Sequence, residues 1–253
     1  MNNDDINAYL HRINFNGQPS VNLRSLQMLH RQHLMTIPYE NLDIMRGISI
    51  SLSYDKLFEK IIRRRRGGYC FELNGLFASL LRALGFGVKQ YLARFLRDEP
   101  NPPMRRHRVL HITCEEGDFI CDVGVGGRIP LEPLPLVIGA VYEQDNARYQ
   151  LLYEDFYGYV LHEWRTEKWQ PIYAFTLEEQ MDVDYVMPSF YCEKHPASQF
   201  RTMDMVHIFT EDGRKSVAGR EIRIYSPSGV EIVHPATDVM YEALLALHFG
   251  ICL

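Results

Sequence analysis

The sequence predicts an α+β fold in about three parts, and three observations carry that expectation. Up to about Leu84 the apolar residues recur at i, i+3, i+4 and i+7, the period of helices buried on one face. From about Val88 the pattern changes to short runs of strand character separated by turn residues. After about Tyr185 an irregular stretch leads into two further hairpins and a terminal helix. Helices first, strands next and a small mixed segment last is an order of segregated layers rather than of alternating β and α units.

In "DDINAYLHRI" the residues Ile6, Tyr9, Leu10 and Ile13 form one stripe, with Asp4 and Asp5 expected as caps. A second helix is expected from about Asn22 to Leu34, stopping ahead of Pro38 because a proline disfavours helical backbone in the residue before it. "YDKLFEKIIRRRR" sets Leu57, Phe58, Ile61 and Ile62 on one side. In the next helix Leu73, Leu76, Phe77, Leu80, Leu81 and Leu84 keep the stripe for three turns, and Gly85 supplies the stop. Strands are expected in "VKQYLARFL", "RRHRVLHITC" and "DFICDVGV", the last two joined as a hairpin through "EEG". Two more, "ARYQLLYED" and "YGYVLHEW", lie beyond the Pro-rich "IPLEPLPL". "MPSFYCEKHPASQF" reads as irregular, "EDG" and "SPSG" turn the late hairpins, and "DVMYEALLALHFG" is the terminal helix.

Composition narrows the function. The formal net charge of -5 gives no general attraction to nucleic acid or to an acidic membrane surface. No apolar run reaches the length of a bilayer span, and the N-terminus "MNNDDINAYL" is acidic where a signal peptide is basic, so a cytoplasmic location is expected. Five cysteines, Cys70, Cys114, Cys121, Cys192 and Cys252, are scattered without a C-x-x-C pair, which argues against a disulfide framework.

One cysteine stands out, in "RRRRGGYCFELNG", Arg63 to Gly75. The glycines are expected to let the chain turn tightly and approach a ligand, placing Cys70 at a helix N-terminus. There the helix dipole and the upstream arginines would favour a thiolate. The competing reading is a small buried apolar residue beside a solvated arginine face. The coincidence of glycines, helix start and positive charge favours a reactive thiol.

Such a thiol needs a base and a group that orients it. His30 and His33, at i, i+3, have no third metal ligand and are expected to be solvated. His107 and His111 share one face of a strand, with Asp122 on the returning strand. A turn at Glu116 and Gly117 sets His111 opposite Asp122, whereas His107 needs a shifted register or a diagonal reach, so both remain candidates. A zinc site from His107, His111, Cys114 and Cys121 is disfavoured, because strand parity turns Cys114 away and the spacing fits no usual zinc pattern.

These residues resemble the arylamine N-acetyltransferases. The matches run through "IPYENLDI", "RRGGYCFELN", His107 with Leu110, "DVGVGG", "YAFTLEEQ", "HPASQF" and the terminal "HFGI", in the family's order over nearly the whole chain. The resemblance implies a catalytic triad of Cys70, His107 and Asp122 in a cysteine-protease-like core. It also implies an N-terminal helical bundle (1–86), a central β-barrel (87–190) and a C-terminal α/β lid (191–253). The implied reaction is acetyl transfer from acetyl-CoA, with no metal, to an aromatic amine or hydrazine by a monomer or homodimer. Tyr39, Phe95, Val125 and Phe200 match positions lining the acceptor pocket, and Gly126, Gly127 and Ser198 match the CoA side. Val125 replaces a common aromatic, and Arg106 replaces a small hydroxyl residue before the histidine. An amide synthase of the same family, a transglutaminase or papain-like enzyme, and a non-catalytic binding protein on the same scaffold are the competing readings.

Overall fold

The computed structural model describes residues 1–99 and 102–253, so Pro100 and Asn101 of the loop after Phe95 lie outside the description. Helix α1 (Asn3–Arg12) is capped by Asn2, whose Oδ1 accepts the Asp5 N–H at 2.8 Å; Asp4 and Asp5, the expected caps, instead occupy the first turn. Helix α2 (Leu23–Thr36) is capped by Asn22 and runs two residues past Leu34, to the edge of Ile37 and Pro38. A two-residue strand β1 (Tyr39–Glu40) and the short α3 (Leu42–Met45) follow. Then α4 (Tyr54–Phe58) widens into a π turn, Glu59–Arg63, that keeps Leu57, Phe58, Ile61 and Ile62 inside. Helix α5 (Cys70–Ala83) is the axis of this half, with every residue from Cys70 to Ala78 buried.

Eight strands form one antiparallel sheet: β2 (Gly87–Phe95), β3 (Arg105–Cys114), β4 (Gly117–Cys121), β5 (Leu134–Pro135), β6 (Val141–Gln144), β7 (Ala147–Glu154), β8 (Gly158–Arg165) and β9 (Lys168–Glu179). Their order is β5-β4-β3-β2-β9-β8-β7-β6. The edge strands β5 and β6 are joined by residues 136–140, and Ile138 bridges to Leu151 on β7. The two edges are thereby drawn together, and the twisted sheet curls into a nearly closed barrel.

Residues 187–200 are not irregular as expected. A 3₁₀ turn (Asp182–Tyr185) leads into α6 (Val186–Lys194), and Pro188 is tolerated because it lies in the first turn, where N–H groups have no helical acceptor. The position proposed for a boundary, 190/191, falls inside α6. The second sheet is a meander, β10 (Met205–Thr210), β11 (Gly213–Ala218), β12 (Glu221–Ser226) and β13 (Gly229–Val233), with β1 added at its edge through Tyr39↔His207. Helix α7 (Asp238–Phe249) covers it, with Tyr241, Leu245 and Phe249 against Val206, Ile208, Val217 and Ile222. Through β1 the first part of the chain supplies a strand to the last. Among the described residues no helix is long and apolar enough to cross a membrane.

Candidate active site

Cys70 opens α5, but its approach differs from the expectation. Neither Gly67 nor Gly68 adopts left-handed backbone; both are required by crowding. A Cβ on Gly67 would lie 1.9 Å from the Pro38 carbonyl oxygen, and one on Gly68 would lie 2.8 Å from Glu72 Cβ. The pair lets this strap run against β1, where the Glu40 N–H donates to the Gly68 carbonyl at 2.8 Å.

Two of the upstream arginines, Arg63 and Arg66, are also committed elsewhere. Arg66 is buried, with Nε on Glu40 Oε1 at 2.9 Å and Nη2 on Asp43 Oδ1 at 3.0 Å, and Arg63 pairs with Glu59. The thiol is 3% exposed, and burial pushes it well above its ordinary range. Neighbouring Cys192 and Asp122 push the same way, while the Arg108 backbone N–H and the Arg106 guanidinium oppose them. The expected stabilisation of a free thiolate by Arg63 to Arg66 is therefore overturned. A Cys70 thiolate must form by handing its proton to an adjacent base, so that the two charges arise as a pair.

The candidate for that base, His107, stands on β3, and the thiol itself meets the carbonyl of the preceding Arg106 at 3.8 Å. His107 Nε2 lies 2.5 Å from Asp122 Oδ2, which assigns the ring proton to Nε2 and leaves Nδ1 free to accept. The β3–β4 turn falls at residues 115–116, pairing Cys114 with Gly117 and Leu110 with Cys121. This register differs from the one expected from Glu116 and Gly117: extended by one pair beyond the end of β4, it sets Asp122 across from Val109 and makes His107 its diagonal neighbour. His111 instead bonds Tyr91 Oη through Nδ1 and Asp118 Oδ1 through Nε2, each at 2.8 Å. Both of its nitrogens are committed, and it does not line the cavity that His107 faces.

Strand β4 ends at Cys121, and the next three backbone N–H groups leave the ladder inside the core. Each finds a side chain: Asp122 N–H donates to His30 Nε2 at 3.1 Å, Val123 N–H to Asn74 Oδ1 at 2.9 Å, and Gly124 N–H to Asp122 Oδ1 at 2.8 Å. Asn74, one turn after Cys70, also donates Nδ2 to Asp122 Oδ1 at 2.9 Å and to the Arg108 carbonyl at 2.7 Å. It therefore ties the cysteine helix to both strands of the hairpin. Gly124 lets them meet: a Cβ there would lie 2.6 Å from Cys70 Cα.

Cys70 and His107 face a common cavity of about 370 Å³. Tyr39, Phe95, Val125 and Phe200 line it, as do Gly126 and Gly127. Ser198 does not; its hydroxyl donates to the Cys192 carbonyl at 2.6 Å, and it lines a neighbouring pocket that shares Arg106 and Gln199 with this one. Sequence reasoning missed the wall supplied by the second sheet, His207, Arg214, Ser216 and Tyr225 from three neighbouring strands. Strand alternation carried the signal, but nothing local to those strands says which face meets the barrel. His30 and His33 were also misplaced, being buried rather than solvated. Among the described residues no group of three His, Cys, Asp or Glu could hold a metal ion.

A model of the N-acetyltransferase family matches residues 22–253. The arylamine N-acetyltransferase of Mycobacterium tuberculosis is 37% identical over 255 residues, covering 98% of this chain and 89% of its own. The chain belongs to the arylamine N-acetyltransferase family. The Escherichia coli arylamine N-acetyltransferase is 41% identical over 211 residues, 83% of this chain and 75% of its own. The structure of the Mycobacterium marinum arylamine N-acetyltransferase in complex with CoA superposes with a TM-score of 0.89 at 32% identity, covering 97% of this chain and 92% of that one. As a member of this acyltransferase family the chain is an enzyme, and the α+β architecture expected for the arylamine N-acetyltransferases is the one it has.

Proposed function

We propose that the enzyme moves an acetyl group from acetyl-CoA to the nitrogen of an arylamine or arylhydrazine, in two half-reactions through acetyl-Cys70. The observation that carries the roles is the 2.5 Å His107–Asp122 pair facing the same cavity as Cys70. His107 Nδ1 takes the thiol proton, and the Cys70 sulfur attacks the thioester carbonyl. A carbon–sulfur bond to Cys70 forms as the bond to CoA breaks, and the imidazolium returns its proton to the departing thiolate. One thioester replaces another, so the step is nearly balanced in energy. In the second half the amine attacks acetyl-Cys70, a carbon–nitrogen bond replaces the carbon–sulfur bond, and the amine proton passes through His107 to the cysteine sulfur. Asp122 keeps His107 in the right tautomer and compensates its cation. The Cys70 and Phe71 N–H groups, without helical acceptors at the start of α5, are the donors for the oxyanion.

Tyr39, Phe95, Val125 and Phe200 form the acceptor wall, and Gly126 and Gly127 border the donor. Five arginines line the cavity; Arg97 and Arg128 share Glu163 and Arg106 pairs with Glu99, while Arg165 and Arg214 have no carboxylate partner among the described residues and suit the phosphates of CoA. The helical part carries the nucleophile, the barrel the base and carboxylate, and the last part covers the cleft. The enzyme acts in the cytoplasm, as a monomer or homodimer.

Incubation with acetyl-CoA alone tests this reading. Intact mass should rise by one acetyl group mapped to Cys70, addition of an arylamine should discharge it, and Cys70→Ala should take up none. An unlabelled wild-type protein that instead cleaves or crosslinks a glutamine peptide would establish the transglutaminase or papain-like alternative.

A further inference from the structure

His30 lies on α2, distant in sequence from the proposed triad, and is 1% exposed. Its Nδ1 lies 2.9 Å from the Leu131 carbonyl oxygen, which can only accept, so Nδ1 carries the proton. Its Nε2 lies 3.1 Å from both the N and the O of Asp122. Burial pushes the ring toward the neutral form, opposed by its contacts with Leu131 and Asp122. A neutral ring protonated at Nδ1 has a bare Nε2, which accepts the Asp122 N–H. The ring is held edge-on to Phe77 at 6.2 Å between centroids, and His33 lies beside it on the same helix.

We infer that His30 is a positioning residue for acyl transfer, clamping the backbone of Asp122 so that its carboxylate stays on His107. The inference rests on reading Cys70, His107 and Asp122 as one catalytic unit. Asp122 sits where β4 has ended, so no strand partner fixes its backbone. The carboxylate is held by Asn74 and the Gly124 N–H, and the main chain beneath it by His30. Both restraints are needed, because a carboxylate rotated off Nε2 leaves the His107 cation uncompensated and the buried thiolate without a counter-charge. The other ring nitrogen reaches Leu131, so the same side chain also holds the returning segment beyond the glycine turn.

Three variants separate this role from simple packing. His30→Gln can place Oε1 near the site of the lost Nε2 and accept the Asp122 N–H. His30→Asn can place Nδ2 near the site of Nδ1 and restore only the bond to Leu131. His30→Phe restores neither. The readout is alkylation of Cys70 by iodoacetamide across pH, which reports the ionised pair without requiring acetyl-CoA, together with kcat and KM for acetyl-CoA. Gln should stay near the wild-type alkylation profile. Asn and Phe should react about tenfold more slowly at pH 7, the change that one unit of displacement in the pair's ionisation produces. Their kcat should fall with little change in KM. Equal rates for Gln and Asn, both fast or both slow, would overturn the inference, and if Phe does not fold that comparison decides alone. A wild-type protein that alkylates at Cys70 but takes no acetyl group contradicts the proposed reaction while leaving the His30 series readable.

Discussion

At the scale of single residues, the decisive distinction is between two histidines on one strand face. His107 and His111 are both buried and both contact a carboxylate, but only His107 faces the cavity with a free nitrogen. His107→Gln should therefore slow Cys70 acetylation by about 10⁴- to 10⁶-fold, the range seen when a member of such a triad is removed. His111→Gln should keep the rate, because its bonds go to Tyr91 and Asp118 away from the cavity. A stopped-flow acetylation assay distinguishes them, and the reverse result would move the base to His111. Cys70 and Asp122 were legible as candidates because their chemistry is local: a helix start, and a carboxylate on the adjacent strand. The choice of His107 over His111 came from the family pattern, since it turns on a turn placed one residue earlier than composition suggested. His30 was illegible for a stronger reason: its role depends on where β4 stops.

At the scale of elements, β1, α3, the π turn and α5 are tied by buried charge rather than by apolar contact alone. Lys60 reaches Asp43 and Glu72, each at 2.8 Å, and Arg66 reaches Glu40 and Asp43. Burial raises Asp43, but Lys60 and Arg66 outweigh it and hold the carboxyl below its usual range. Breaking one partner of a buried set leaves an uncompensated charge, so Glu40→Gln should cost about 3 kcal/mol. For a chain of this size that is roughly 6–12 °C in Tm. Calorimetry measures it, and an unchanged Tm would mean that water already compensates Arg66. The arginine run was read as a source of field at the thiol, because sequence spacing does not say which acid a guanidinium meets. Helix α6 was missed because its pattern is inverted: Ser189, Cys192 and Glu193 are buried, while Met187 at 77% and Phe190 at 60% face outward. The long helices and the central hairpins were legible because their apolar period matches the face they bury.

At the scale of the whole molecule, the helical part, the barrel and the second sheet meet around one cavity, and neutral histidines are built into the joints. His30 joins α2 to the end of β4, His33 packs on α5 against Phe77 and bonds Tyr9 Oη at 2.7 Å, and His207 joins β10 to β1. Burial pushes all three down: His30 below its usual value, His33 well below it with His30 and Arg12 adding, and His207 to about 3 with Arg214 adding. The folded pKa values lie below the unfolded one, so as pH falls through about 6.5 the unfolded chain takes up protons that the folded chain refuses. Stability therefore begins to fall just above that pH, where the unfolded rings start to take up protons, and falls more steeply below it. The three rings act in the same direction between pH 6.5 and 5.5, ahead of carboxylate protonation at lower pH. Thermal melts should show Tm falling more steeply from pH 6.5 to 5.5 than from 7.5 to 6.5. His207→Gln removes one titrating ring and should flatten the acid slope. Parallel wild-type and variant slopes would mean that His207 gains its proton in the folded protein, its ring reached by water where it lines the cavity.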